Sequence, residues 1–118
     1  MSTLTTEQPG ESRIYRVQGL VYFADGFPAA RTKVAAFDRD LRKEQPLGEG
    51  ETDRTGAYRI EYSERQFLKR ERDTADLVVK ALGDDGSVLI ASAVRFNAPQ
   101  TAEINLTIPR ERQVPPTL

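Results

Sequence analysis

Apolar and polar residues alternate one for one along most of this chain. In "IYRVQGLVYF", Tyr15, Val17, Gly19, Val21 and Phe23 fall on one face, with Arg16 and Gln18 opposite. "TKVAAF" sets Val34 and Ala36 against Lys33, and "AYRIEY" sets Tyr58, Ile60 and Tyr62 against Arg59 and Glu61. "ADLVVKAL" opposes Ala75, Leu77, Val79 and Ala81 to Asp76 and Lys80. "TAEINLTI" opposes Ile104, Leu106 and Ile108 to Glu103, Asn105 and Thr107, and "SVLIASAVRF" reads as one longer or bent strand. A period of two means one buried face and one wet face, the habit of antiparallel sheets.

The joints between these segments carry turn chemistry: Asp25-Gly26, "DRTG" ending at Gly56, and "GDDG" over 83–86. Candidate strands at roughly ten-residue spacing predict an all-β fold, a seven-stranded antiparallel β-sandwich. One stretch breaks the period. In "SERQFLKRERDT", Ser63 and Gln66 match a capping box, which predicts a short helix over about 63–69 with Phe67 and Leu68 covering one end of the sandwich.

The polar start, residues 1–13, carries Pro9-Gly10 and reads as a disordered leader. Residues 109–118 contain Pro115-Pro116 and read as an extended Pro-rich linker or tail. The folded domain is then expected over 14–108, within a longer chain or assembly. The first residues lack the basic and apolar regions of a signal peptide, and no apolar run reaches the roughly 18 residues of a membrane span. Synthesis in the cytoplasm, with export as part of something larger, is the expectation.

Composition narrows the chemistry. Of 118 residues, 38% are hydrophobic and 30% charged, the balance of a globular domain. Seventeen basic against eighteen acidic residues give a net charge of -1, which supplies no electrostatic case for nucleic acid or an anionic membrane. There is no cysteine and no histidine, so disulfides, Cys/His zinc sites and Cys- or His-based catalysis are excluded. Carboxylates, hydroxyls and lysine are what is left.

The acids concentrate in "VAAFDRDLRKEQPLGEGETDRTGAYRI". Asp38-x-Asp40 begins like a calcium loop, and Asp53 could converge with that pair from a second loop. Arg42 and Lys43 fall where an EF-hand would place ligand and glycine, and they oppose a divalent cation. Glu49 and Glu51 would share a strand face about 7 Å apart, but a domain this small has little material to wall a catalytic cleft around them. Arg39, Arg42 and Arg54 interleave with the acids, so a solvated connection leading into a hairpin is the expectation. In that hairpin Asp53 is expected to bond turn N–H groups, Gly56 to take a positive φ, and Tyr58 to bury its ring with a partner for its hydroxyl.

"VQGLVYFADGFPAARTKVAAFD" followed by "LGEGETDRTGAYRI" resembles the carboxypeptidase-regulatory-like, or transthyretin-like (prealbumin-like), domain. Val17, Gly19 and Val21, then Gly26 and Pro28, Val34 and Ala36, and Thr52, Asp53, Gly56 and Tyr58 carry the resemblance, which covers about 14–108. It implies a Greek-key sandwich. "AFDRDLRKEQPLGEGETD", "ADLVVKALGDDG" and "VRFNAP" together resemble a small β-domain of bacterial insecticidal toxin-complex proteins, which implies an accessory role beside larger parts. The fold's hydrolase branch depends on histidines and a C-terminal Tyr-Arg-Gly-Ser motif that this sequence lacks, so that activity does not carry over.

The functional expectation is therefore a non-catalytic interaction or scaffold module with no cofactor, whose partner is another protein or a neighbouring domain of the same assembly. Its candidate surface is the outward apolar set Leu20, Tyr22, Phe37 and Leu89, with Val78 and Leu82 in the same phase. Phe37 has an alternative, folding back with Leu41 onto Phe67 and Leu68. Two other functions stand beside the first: a carbohydrate-binding accessory domain and a cargo-recruiting adaptor on a contractile secretion spike. The partner, the oligomeric state and the parent chain are not written in the sequence.

Overall fold

A computed structural model describes residues 13–39, 43–63 and 75–112. They form two four-stranded sheets built from β1 (Ile14–Phe23), β2 (Lys33–Arg39), β3 (Glu44–Glu51), β4 (Ala57–Ser63), β5 (Leu77–Leu82), β6 (Val88–Ala91), β7 (Thr101–Glu103) and β8 (Leu106–Ile108). A 3-10 turn, Arg110–Arg112, follows β8. One sheet runs β4-β1-β7 with β8 also on β1; the other runs β3-β2-β5-β6. Their facing sides share one core, in which Val17, Val21, Val34, Ile60, Leu77 and Ile108 are fully buried. These are the inward members of the alternating segments, as the period of two requires.

Among the described residues there are eight strands where seven are expected: the six alternating segments named above are joined by one further strand, and one of the six divides in two. The acidic stretch 44–51 is itself a strand, β3, at the sheet edge. Its inward positions are Leu47, Gly48 and Gly50, so it shows no apolar alternation. The glycines have a steric reason: a Cβ on Gly48 would stand 3.0 Å from Ile60, and one on Gly50 3.2 Å from the Arg59 carbonyl, where β3 folds against β4. Pro46 sits at the β-bulge opposite Ala36/Phe37, on an edge strand, where a missing N–H does least harm.

The second departure is "TAEINLTI", one strand in the sequence and two in the fold. Both halves pair with β1 in parallel, so the sandwich is mixed and not wholly antiparallel. The break falls over Gly19, where a Cβ would lie 2.0 Å from the Ile104 carbonyl oxygen. There the Asn105 side chain replaces a ladder partner, its Oδ1 accepting from the Leu20 amide at 2.9 Å. The Tyr58 hydroxyl donates to the same Ile104 carbonyl at 2.6 Å. Burial, with Glu103 second, pushes the Tyr58 phenol well above its usual range. "SVLIASAVRF" also divides, into β6 and an isolated bridge joining Arg95 to Leu77.

The helix expected over 63–69 lies outside the described residues apart from Ser63, which ends β4. Among the described residues no helix is long and apolar enough to cross a membrane.

Candidate functional site

Thr52, Asp53, Gly56 and Tyr58 lie together at one end of the sandwich. Thr52 is buried; its hydroxyl donates to the Ala29 carbonyl at 2.5 Å and accepts from the Thr32 amide at 2.8 Å. Its backbone brackets the same loop, accepting from the Arg31 amide at 3.1 Å and donating to the Thr32 carbonyl at 2.9 Å. Asp53 Oδ1 accepts from the Thr55 hydroxyl (2.7 Å), the Thr55 amide (2.8 Å) and the Ala57 amide (3.1 Å). The Thr55 hydroxyl first, then these amides, hold the exposed Asp53 carboxyl below its usual pKa. Gly56, at φ 84°, passes under β1, where a Cβ would meet the Val21 carbonyl at 2.5 Å. Only glycine fits that position.

The 29–32 loop pinned by Thr52 follows a tight turn over 23–27. The Phe23 amide donates to the Phe27 carbonyl, the Gly26 amide returns to Phe23, and Asp25 Oδ1 accepts from the Phe27 amide at 3.1 Å. This turn, with Gly26 at φ 97°, presents the Phe27 ring to solvent, 68% exposed, next to half-buried Phe23. The β5–β6 turn stands beside it. There Asp85 accepts from the Ser87 amide at 3.0 Å, and that contact holds its carboxyl below the usual range. Arg31 lies between the two turns with a left-handed backbone, φ 53°, uncommon for a residue with a side chain.

Between these turns and the 3-10 turn opens a cleft of about 490 Å3. Phe23, Phe27, Leu82 and Leu89 give it an apolar lining; Asp25, Arg31, Asp84 and Arg112 ring it with two charges of each sign. An adjoining hollow of about 290 Å3 is polar and carries Glu49, Glu51 and Lys33, with Arg31 and Asp84 shared. The larger cleft suits a hydrophobic group with modest polar contacts.

The four candidate surface residues do not form one patch. Leu20 (38% exposed) and half-buried Tyr22 lie on the outer face of the β4-β1 sheet. Phe37 is half-buried on the outer face of the other sheet, with the Lys80 ammonium 4.8 Å from its ring centre and ion-paired to Glu44 at 2.6 Å. Leu89 alone lines the cleft. Val78, in the outward phase, is buried all the same. Leu41, Phe67 and Leu68, the proposed companions of Phe37, lie outside the described residues. Phe27 escaped the sequence reading because it sits in a turn, where no alternation marks it; an aromatic inside "DGFP" was the available signal.

The acids are corrected more sharply. Asp38 is not on a solvated rim but fully buried, its Oδ1 accepting from the Asp76 amide at 3.0 Å where β5 begins. It shares the phase of Val34 and Ala36, and the backbone amide meets a carboxylate that the alternation carries inward. Tyr62, stacked on Tyr15 at 5.4 Å, has its phenol pushed up by burial first, then by Tyr15 and Asp38. Asp53 lies beyond Glu51 at the other end of the strands, and Glu51 is paired with Lys33, five residues from Asp38 along β2, about 17 Å at a strand's rise. One ion cannot span that separation, so Asp38 and Asp53 are not common ligands; Asp40 lies outside the described residues. Among the described residues no three acids are grouped to hold a metal ion.

No family model matches this chain, and no curated protein sequence matches it. Solved structures do. A 9R-lipoxygenase from Cyanothece PCC8801 superposes with TM-score 0.68 at 19% identity, over 90% of this chain and 18% of that one. A chlorocatechol 1,2-dioxygenase from Pseudomonas putida gives 0.51 at 10% identity, over 84% of this chain and 61% of that one. This chain therefore spans less than two thirds of either protein. At such identities the likeness is one of fold.

Proposed function

We propose that this chain is a non-catalytic interaction module, an accessory domain of transthyretin-like type that docks another protein or a neighbouring domain through the cleft between its hairpin turns. The observation that carries the reading is Phe27: a large apolar ring held in solvent by an ordered hairpin, over an apolar cleft. A hydrogen-bonded turn that presents such a ring beside an apolar cleft is preorganised for contact. The chemistry of the chain points the same way. With no histidine or cysteine, catalysis would fall to carboxylates, and Asp53 and Asp85 are committed to turn amides. Membership of a larger toxin-complex-like or secreted assembly fits a fold that also occurs as 18% of a much longer chain.

Photo-crosslinking tests the reading in cells that make the protein. A benzophenone side chain at Phe27 is expected to give one dominant protein adduct, absent when it is placed at Arg59 on β4, away from the cleft, and abolished by Leu89→Asp. Equal labelling from both positions would count against a docking role for the cleft.

A further inference from the structure

We infer that the outer edge of β6, which pairs with no strand among the described residues, is together with the adjoining cleft a strand-addition site for an extended, low-charge segment of another protein. This rests on the docking role proposed above and supplies its geometry.

Sheet edges are normally guarded by charge or proline. β3 carries Glu44, Pro46, Glu49 and Glu51, β4 carries Arg59 and Glu61, and β7 carries Glu103. β6, Val88–Ala91, carries neither charge nor proline, and both of its ends are exposed. The three-residue β8 packs beside it without pairing.

The backbone of β6 is set up to pair. The Ser92 amide donates to the Val79 carbonyl at 2.8 Å, which fixes the ladder alternation: Ile90 faces β5, and the amide and carbonyl of Ala91 point away from it. The outward row already accepts one bond, because the Arg112 guanidinium donates to the Val88 carbonyl. Arg112 and Leu89 also line the cleft, so this edge runs into it. A strand laid on β6 would therefore bring an alternate side chain over Phe23, Phe27 and Leu89. Backbone groups are the recognition chemistry of such an edge, which selects an extended polypeptide. The charge pattern selects its composition: the edge has no charge and the cleft rim balances two arginines with two aspartates, so a net-neutral strand of alternating apolar residues is the complement.

The test is selection of peptides from a displayed library of random octamers against the intact chain, followed by affinity measurement on two variants. Ala91→Pro removes the outward amide without touching a β5 bond; Phe27→Ser removes the cleft ring. Recovered peptides with alternating apolar residues, bound at least tenfold more weakly by both variants, are the expected result. Weakening by Phe27→Ser with full affinity for Ala91→Pro would overturn strand addition and leave the cleft as the docking site. Recovery of no peptide, or of peptides indifferent to both changes, would overturn both readings. Should Ala91→Pro fail to fold, N-methylation of alternate peptide residues probes the same bonds from the ligand: lost binding supports pairing, and undiminished binding overturns it.

Discussion

Thr52→Val should destabilise the fold strongly, because Thr52 is buried and its hydroxyl serves two backbone groups. The substitution keeps shape and volume but deletes a hydroxyl with two partners. The Ala29 carbonyl loses its 2.5 Å donor and the Thr32 amide its 2.8 Å acceptor. An unsatisfied buried group costs about 1–3 kcal/mol. Ala29 is wholly buried and bears the full penalty, whereas half-buried Thr32 recovers part of its loss from water. The sum is about 2–4 kcal/mol, a large share of a domain stability of about 5–15 kcal/mol. That corresponds to a melting temperature lower by roughly 10–25 °C. Urea unfolding, followed by tyrosine fluorescence and far-ultraviolet circular dichroism, measures it directly. Thr52→Ser is the control: it keeps the hydroxyl, loses one methyl and should cost only about 1 kcal/mol. A valine variant as stable as the serine variant would refute the claim that this hydroxyl anchors the 29–32 loop.

Gly19→Ala places a methyl 2.0 Å from the Ile104 oxygen and should abolish soluble folded protein, read by expression and circular dichroism. Tyr58→Phe, which strands the same Ile104 carbonyl, should cost about 1–2 kcal/mol in urea unfolding while the spectrum stays native. The Asp53 and Asp85 carboxyls are held below their unfolded value of 3.8, so their contribution is complete above about pH 4 and is lost as pH falls through the lower folded values. Acid unfolding should therefore be shallower for Asp53→Asn than for the parent chain, and an unchanged acid limb would contradict the turn assignment. Phe27→Ser should leave the melting temperature within about 2 °C, because a ring this exposed contributes little to the core.

The sequence was informative where burial imposes a period. Tyr15, Val17 and Val21, Val34 and Ala36, and Tyr58, Ile60 and Tyr62 all lie on inward faces, in accord with the alternation. The same rule should have placed Asp38 inside, since it follows Val34 and Ala36 in phase. Its charge argues against burial, and a backbone amide 38 residues away in the chain, at Asp76, is what makes the burial tolerable. β3 was missed because its inward residues are mostly glycine: the space is filled by Ile60 of the neighbouring strand, a fact of tertiary packing. The β7–β8 break was missed for a similar reason, being set by Gly19, which lies more than eighty residues earlier in the chain than the Ile104 carbonyl over it. The cleft gathers Phe27, Leu82 and Leu89 from three separate turns and strands, and only the fold brings them together.

Amide hydrogen exchange on the intact chain, alone and with a selected octamer bound, examines the docking geometry most directly. In the free chain the Ala29, Thr32 and Gly56 amides should be as slow as those of β1, since a preformed wall is required, while the Ala91 amide exchanges fast. On peptide binding Ala91 should slow at least tenfold, with the loop unchanged. Rapid exchange at Ala29 and Thr32 in the free chain, or peptide protection that spares Ala91 and falls on the outer sheet faces, would contradict the account.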